Sequence, residues 1–528
     1  MGRVLTNFTG MRAVRETSLG VAPTTASTWF AVEFESIGAY GLEITTVARR
    51  PIGIGRGRRK GTVTDANSSV EFKTDLTLQA LNDFIEGFFF AEFANVEFNL
   101  RTTGGILPPP AIAATDDFTI AAASALLAGK MVYDVAGAIT LVYAKGYTNA
   151  ANNGIFELAA DVASTDTAVQ VNGSLVDETP PTNATLQVCG VRVTQGDLTL
   201  SAPSGGVATL TSAGDIADWA TLGIRAGMFI HIGGVNTATG AVINALNDSV
   251  ADDTYGYARV TAVAGAVLTL DKLDENLDSA ADHAADGVCD VLFGRWVRNV
   301  EVTDDADDTR FLEQSFQIEL AYPNLGAAAA TAYEYAVGNY PNELTINLPL
   351  TEKATMGMAF VGTTSDEITE TRKTGPSSAV EPLRTTAFST AIDIMALTTD
   401  VVSSASDVCF KSLTMTILNN ASPEKCLGTL GARFVNIGQF EINFEGQMAF
   451  TAPAIVNAVR ANTTVTFAAI LRNDDGAFAF DMPELTLGGG GREFPVDETV
   501  LVNLTGASYT GDLGYDASVT IFPVVPFA

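Results

Sequence analysis

A run of alternating apolar and polar residues, followed by apolar residues at helical spacing, occurs once near each end of this chain. The first is Val70-Glu71-Phe72-Lys73-Thr74-Asp75-Leu76, leading into Leu78, Leu81 and Ile85 and closing on Phe88-Phe89-Phe90. The second is Phe440-Glu441-Ile442-Asn443-Phe444-Glu445-Gly446, leading into Ala454, Ile455, Ala458 and Val459 and then into Val465 to Leu471. Alternation with period two buries one face of a strand, and i, i+3/i+4 spacing buries one stripe of a helix. Each end therefore predicts a strand, a short amphipathic helix and a second strand. Further alternating stretches predict strands at Trp29 to Phe34, Gly41 to Val47, Arg310 to Ala321, Glu343 to Leu350, Met356 to Val361, Phe410 to Leu418 and Val519 to Val525. The expected fold is all-β dominated: β-sandwich or barrel domains, each with a flanking short helix.

Punctuation divides the chain. Gly104-Gly105-Ile106-Leu107-Pro108-Pro109-Pro110 cannot continue a sheet ladder, because proline lacks the donor N–H. From there to about Asn299 the composition shifts to Ala, Gly, Asp and Thr, and short strand motifs repeat. Tyr143 to Gly146, Asn152 to Leu158, Val169 to Val171 and Leu186 to Val188 answer to Met228 to Gly234, Tyr255 to Val260, Val267 to Leu270 and Val288 to Val291. The expected organisation is residues 1–105 as the first part of one domain and 106–299 as an insertion. Residues 300–375 complete the first domain, and 376–528 form a second, related unit. The insertion reads as two small β-barrel-like modules, about 111–195 and 196–299.

With 528 residues and 47% hydrophobic content, several cores can be built. The formal charge of −31 argues against an ordinary nucleic-acid binder, since a polyanion repels phosphate. Met1 to Glu16 has no continuous apolar core of a signal peptide, and Phe84 to Leu100 is interrupted by Glu86, Glu92 and Glu97, so neither secretion nor a membrane anchor is expected.

Catalytic chemistry finds no support. The four cysteines, Cys189, Cys289, Cys409 and Cys426, lie far apart and read as small buried hydrophobes. His231 sits between Ile230 and Ile232 in a strand and reads as structural; His283 lies in an acidic loop. Asp304-Asp305-Ala306-Asp307-Asp308 lacks the glycine and distal glutamate of a calcium loop. With 61 acidic residues, some close carboxylate pair is inevitable and carries no weight for glycoside hydrolysis. No catalytic residue, cofactor or metal ligand is nominated, and the chain is expected not to be an enzyme.

At Met11-Arg12-Ala13-Val14-Arg15-Glu16-Thr17-Ser18-Leu19-Gly20-Val21-Ala22-Pro23 the chain resembles the N-terminal arm of phage tail tube proteins. Gly146 to Asn149, Gly227 to Ile230, Arg295 to Val300, Phe316 to Glu319, Gly338 to Leu344, Leu418 to Asn420 and Met482 to Glu484 are similar to the same family in the same order. The resemblance implies a structural virion protein made in the host cytoplasm, whose rings stack into the hollow tail tube for genome passage. It implies a homotrimeric ring with pseudo-sixfold symmetry for a chain with two tube folds, and a homohexamer as the alternative. It also implies contact with tape measure, initiator and terminator proteins, and transit of DNA without tight binding. A reading of another class, a carbohydrate-binding or adhesin-like surface protein of tandem β modules, suits the insertion, but aromatics for sugar stacking are scarce there. Its only tryptophans are Trp219 and Trp296.

Two sets of residues follow as candidates. An acidic lumen would let phosphate slide, so acidic strand residues flanked by apolar neighbours are expected to line it: Glu71, Asp75, Glu441 and Glu445. Arg49, Arg50, Arg56, Arg58, Arg59 and Lys60 concentrate basic charge among Gly53, Gly55, Gly57 and Gly61. This loop resembles the long stacking loop that reaches the next ring, where a basic arm meets an acidic neighbour. A solvated loop, or DNA contact through Arg-Gly chemistry, are the other readings. A phosphate cradle lacks its motif.

Overall fold

The computed structural model describes residues 9–24, 29–49, 52, 59–94, 101–102, 105–106, 111–113, 117–119, 137–158, 168–179, 184–235, 242–246, 254–278, 283–284, 288–302, 311–325, 330–373, 385–399, 409–451, 453–497 and 499–524. The chain is mostly β, in antiparallel sheets that include one of 16 strands and one of 13. No barrel closes among the described residues, so the barrel form considered for the modules gives way to open sheets.

The larger sheet contains the same arrangement twice. In the first set the hydrogen-bonded order is Ser36–Arg49, Arg59–Asp75, Thr355–Gly362, Ala332–Pro349, Phe316–Tyr322, Gly10–Arg15. In the second it is Phe410–Leu418, Glu441–Ala449, Leu501–Ser508, Gly476–Glu493, Thr464–Asn473, Ile394–Thr399. Each set places a helix, Leu78–Phe89 or Pro453–Ala461, between its second strand and the strand that follows in the sequence. A short motif falls at the same point of both long strands: Pro341-Asn342-Glu343-Leu344-Thr345-Ile346 and Pro483-Glu484-Leu485-Thr486-Leu487. The extra Asn342 sits at a register shift between Pro341 and Glu343.

The first helix starts and stops for local reasons. The Thr77 hydroxyl accepts from the Ala80 N–H at 3.1 Å, capping its N-terminus, and Phe90 takes a left-handed conformation at its end. Phe88 and Phe89 therefore belong to the helix, and Phe90 is its cap rather than part of a strand. The strand that follows the helix in this set is Phe316–Tyr322, because the insertion enters between them. Leu78, Leu81, Phe84, Ile85 and Phe88 form the buried stripe. Phe84 meets Phe30, Phe72, Phe316 and Phe360 at ring-centroid distances of 5.2, 6.0, 5.4 and 6.0 Å. Gly87 allows this approach: a Cβ there would lie 2.7 Å from the Phe316 ring. One continuous core runs from Phe72 and Phe84 through Leu344 and Met415 to Phe444 and Phe480, so both strand sets share it.

The insertion's repeat is also legible in its pairing. Ala168–Asn172, Gly154–Leu158, Ile139–Lys145 and Thr185–Val193 are neighbours in that order. Val267–Asp271, Gly256–Ala264, Phe229–Ile232 and Cys289–Leu292 repeat it. Thr185–Val193 then pairs with Cys289–Leu292, joining both copies in the 13-stranded sheet. Trp219 and Trp296 are both buried in a core on the Leu198–Leu270 side of this sheet, and the Trp219 indole N–H donates to the Ala266 carbonyl at 3.0 Å.

Candidate assembly surfaces

Eight strands form an unbroken path through the larger sheet: Ser36–Arg49, Arg59–Asp75, Thr355–Gly362, Ala332–Pro349, Phe410–Leu418, Glu441–Ala449, Leu501–Ser508 and Gly476–Glu493. The junction between the two sets is the pairing of Glu343 to Pro349 with Leu418 to Ser412. Alternation gives this path one buried and one open face. Val70, Phe72, Leu344, Ile346, Met415, Ile417, Ile442 and Phe444 enter the core. The open face carries the polar alternates, with Thr414 donating to Asn347 at 2.9 Å and Gln447 to Asn503 at 3.1 Å.

All four acidic candidates occur on that open face. Glu71 is exposed between Ala39 and Ala359; Glu445 is exposed between Thr414 and Thr505; Glu441 lies across from Leu418. Glu441 and Glu445 stand roughly 13 Å apart along one strand, and their strand lies four strands, roughly 19 Å, from that of Glu71. Asp75 differs, because the Lys353 ammonium sits 2.6 Å from it and also bonds Glu35. Hydrogen bonds to Asp75 and Glu35 hold the Lys353 pKa above its ordinary range. Burial, with Asp75 nearby, pushes the Glu33 carboxyl up.

At the far end of the same strands the first hairpin carries Arg49, Arg59 and Lys60, all exposed, with Arg49 directly across from Arg59. Like charges in a cross-strand pair oppose each other unless an outside anion separates them. Arg50, Arg56 and Arg58 lie outside the described residues. The second set has its own hairpin here, Ser422–Lys425 paired with Ala432–Asn436, which the sequence reading did not single out. Lys425 ties the two hairpins together, with its ammonium 2.6 and 2.8 Å from the Asp65 carboxylate oxygens and 2.6 Å from Asn67. The Lys425 ammonium draws the Asp65 pKa down. The signal for this hairpin was Leu427 and Leu430, apolar residues beside Gly428 and Gly431 where a polar turn is the rule.

The path ends in two open edges. Among the described residues, Ser36–Arg49 has a strand partner on one side only, Arg59–Asp75. Among the described residues, the last part of Gly476–Glu493, beyond the Thr464–Thr486 pair, is bonded only to Leu501–Ser508. Beside this second edge lies a partly open apolar hollow, lined by residues that include Phe410, Phe444, Ile455, Leu485 and Leu487.

The insertion docks on the other side of the body. Ala468, Ile470, Ala477 and Ala479 turn away from the main core and pack against Phe229, Tyr257 and Phe522. His231 is fully buried there, with Nδ1 2.8 Å from the Gly233 carbonyl and its ring 5.0 Å from that of Tyr257. Burial drives its pKa down to about 3, so it is a neutral structural group. The cysteines divide. Cys189 and Cys289 are buried and their thiols are pushed up by burial, whereas Cys409 is exposed and Cys426 half-buried at the second hairpin. The sequence reading of all four as buried fails for these two because each sits at a strand end or turn. Among the described residues no group of three or more His, Cys, Asp or Glu is placed to hold a metal.

Residues 260–510 match the family model of the phage tail tube protein. That part of the chain is similar to the phage tail tube proteins. The match runs from the last strands of the insertion through the second strand set, which is where the family resemblance of Phe316 to Glu319, Gly338 to Leu344 and Met482 to Glu484 was read. No curated protein matches the chain. The match supports a structural tail tube role, with self-assembly in the virion tail.

Proposed function

We propose that three chains close into a ring by adding the Ser36–Arg49 edge of one protomer to the Leu487–Glu493 edge of the next, and that such rings stack into the tail tube. The observation that carries this reading is the junction inside the chain, where Phe410–Leu418 pairs with the second half of Ala332–Pro349. The ring contact repeats that junction between chains, because Ser36–Arg49 corresponds to Phe410–Leu418 and Gly476–Glu493 to Ala332–Pro349. Closure removes both open edges, each otherwise a site of uncontrolled pairing. It also brings the apolar side of the incoming strand, with half-buried Ile37 and Tyr40, to the hollow beside Leu487.

Residues 1–105 with 300–375, and 376–528, are then two copies of one tube fold, and 106–299 is carried on the outside. The docking of Phe229 and Tyr257 on the side of the body away from the core-facing residues supports this placement. Twenty-four strands at ~4.8 Å spacing make a perimeter of roughly 115 Å, about 37 Å across before strand tilt widens it. The open sheet face turns to the lumen, where Glu71, Glu441 and Glu445 repel phosphate and Asp75 is held by Lys353. Arg49, Arg50, Arg56, Arg58, Arg59 and Lys60 serve stacking. DNA passes without tight binding, and the tube ends meet tape measure, initiator and terminator proteins.

Electron micrographs of the concentrated protein, with top views classified for symmetry, test the ring. Hollow rings of three chains with six similar lobes are expected. Solid particles, or open chains of protomers without closure, would count against it.

A further inference from the structure

We propose that the apolar tip of the second hairpin is a second stacking element, and that its occupant is the opposite end of another copy of this chain in the adjoining ring. The inference rests on the tail-tube reading and adds to it a contact surface outside the basic loop. Strand direction fixes the geometry. Along the eight-strand path neighbours are antiparallel, so both hairpins leave the same end of the sheet, consistent with the Lys425–Asp65 contact. The connections from Pro349 to Thr355 and from Glu493 to Leu501 both lie at the other end, beside Asp75 and Ala449. Arg59–Asp75 has 17 residues, which separates the two ends by roughly 55 Å.

Both ends expose large apolar side chains. At the tip Leu427 is fully exposed, and Leu430 and Phe434 are 55% and 49% exposed. At the opposite end Leu350, Phe494 and Val496 are 52%, 73% and 86% exposed. Their charges are complementary. The Arg433 guanidinium lies over the Phe434 ring at 5.4 Å, Glu424 offsets its charge within the hairpin, and exposed Arg49, Arg59 and Lys60 make this end of the sheet basic. The opposite end carries exposed Glu352, Glu493 and Asp497 against exposed Lys353 and Arg492, and stays net acidic. Two complementary patches on opposite ends of one chain form a head-to-tail contact, the kind that builds an open filament rather than a closed dimer. Each protomer thus covers the tip of one neighbour and offers its own tip to the next.

The test uses the full chain and reads rings and tubes separately by electron microscopy. Leu427→Asp with Leu430→Asp is expected to leave rings intact and shorten tubes at least tenfold, and Phe494→Asp with Val496→Asp should do the same from the other end. Leu427→Lys alone should block tubes, and combining it with Val496→Glu should restore them. Tubes of normal length from both double variants would overturn the inference and leave the patches to a different partner. A wild-type chain that forms neither rings nor tubes would instead remove the tail-tube reading on which it rests, so the two failures are distinct.

Discussion

Arg259 and Asp481, 222 residues apart in sequence, are paired at 3.0 and 3.1 Å with both side chains almost completely buried. Arg259 belongs to the insertion and Asp481 to the long strand of the second set, so the pair fixes one to the other. The Tyr515 hydroxyl donates to Asp481 at 2.9 Å, and Asp271 takes the other side of the guanidinium at 2.6 Å. Removing one member leaves a buried charge without its partner, the costly way to break such a pair. Arg259→Met is expected to lower stability by roughly 3–5 kcal/mol, and Arg259→Met with Asp481→Leu to recover most of that loss. Chemical denaturation of the three proteins checks both.

His231 gives the chain an acid-sensitive term. Its folded pKa of about 3 lies well below the ordinary value of 6.5. Above pH 6.5 both states are neutral and the contribution is full. As pH falls through 6.5 the unfolded state takes up a proton that the folded state refuses, and stability drops by about 1.4 kcal/mol per pH unit. Between pH 6.5 and 5, where carboxylates stay ionised, a loss of about 2 kcal/mol is expected. In His231→Gln that slope should flatten, whatever its absolute stability. Melting temperature against pH across this window decides it.

The acidic face should keep DNA from adhering. Glu71→Lys, Glu441→Lys and Glu445→Lys together are expected to leave tube assembly unchanged, because all three side chains lie on the open face of the sheet. Assembled tubes of the triple variant should retain DNA at low salt, and release it as salt rises, with the steep dependence of phosphate contacts. Wild-type tubes should retain none. Co-sedimentation with labelled DNA measures this, and equal retention by both would remove the lumen assignment.

Stacking through a basic arm is an electrostatic contact and is therefore screened. Charge reversal at Arg56, Arg58 and Arg59 should block tube growth and spare the ring. Raising salt from 0.05 to 0.5 M should slow wild-type growth, since the Debye length falls from about 14 to about 4 Å. Light scattering follows growth, and salt-independent kinetics would exclude the mechanism.

Much of this was legible in the sequence because local pattern and tertiary pairing agree. Period two found most strands of the large sheet, and Phe410 to Leu418 falls on its strand residue for residue. Both helices were found from apolar spacing, although Val456 is also buried on the second. Three features were hidden for physical reasons. The shared Pro–Glu-Leu-Thr motif is disguised by Asn342, which a strand accommodates as a register shift and a linear comparison reads as a mismatch. The first helix and its following strand are separated by the insertion, so in the sequence the triple aromatic run stands where that strand would be expected. The second hairpin carries no cluster of charge, and its exposed leucines resemble core residues until the fold places them at a turn.

A reconstruction of assembled tubes by cryo-electron microscopy at strand resolution tests the central claim most directly. It should show three chains per ring, 24 strands around the lumen, and Ser36–Arg49 of one protomer hydrogen-bonded to Leu487–Glu493 of the next. Six chains per ring, or a wall in which those two edges face solvent or other partners, would contradict the account.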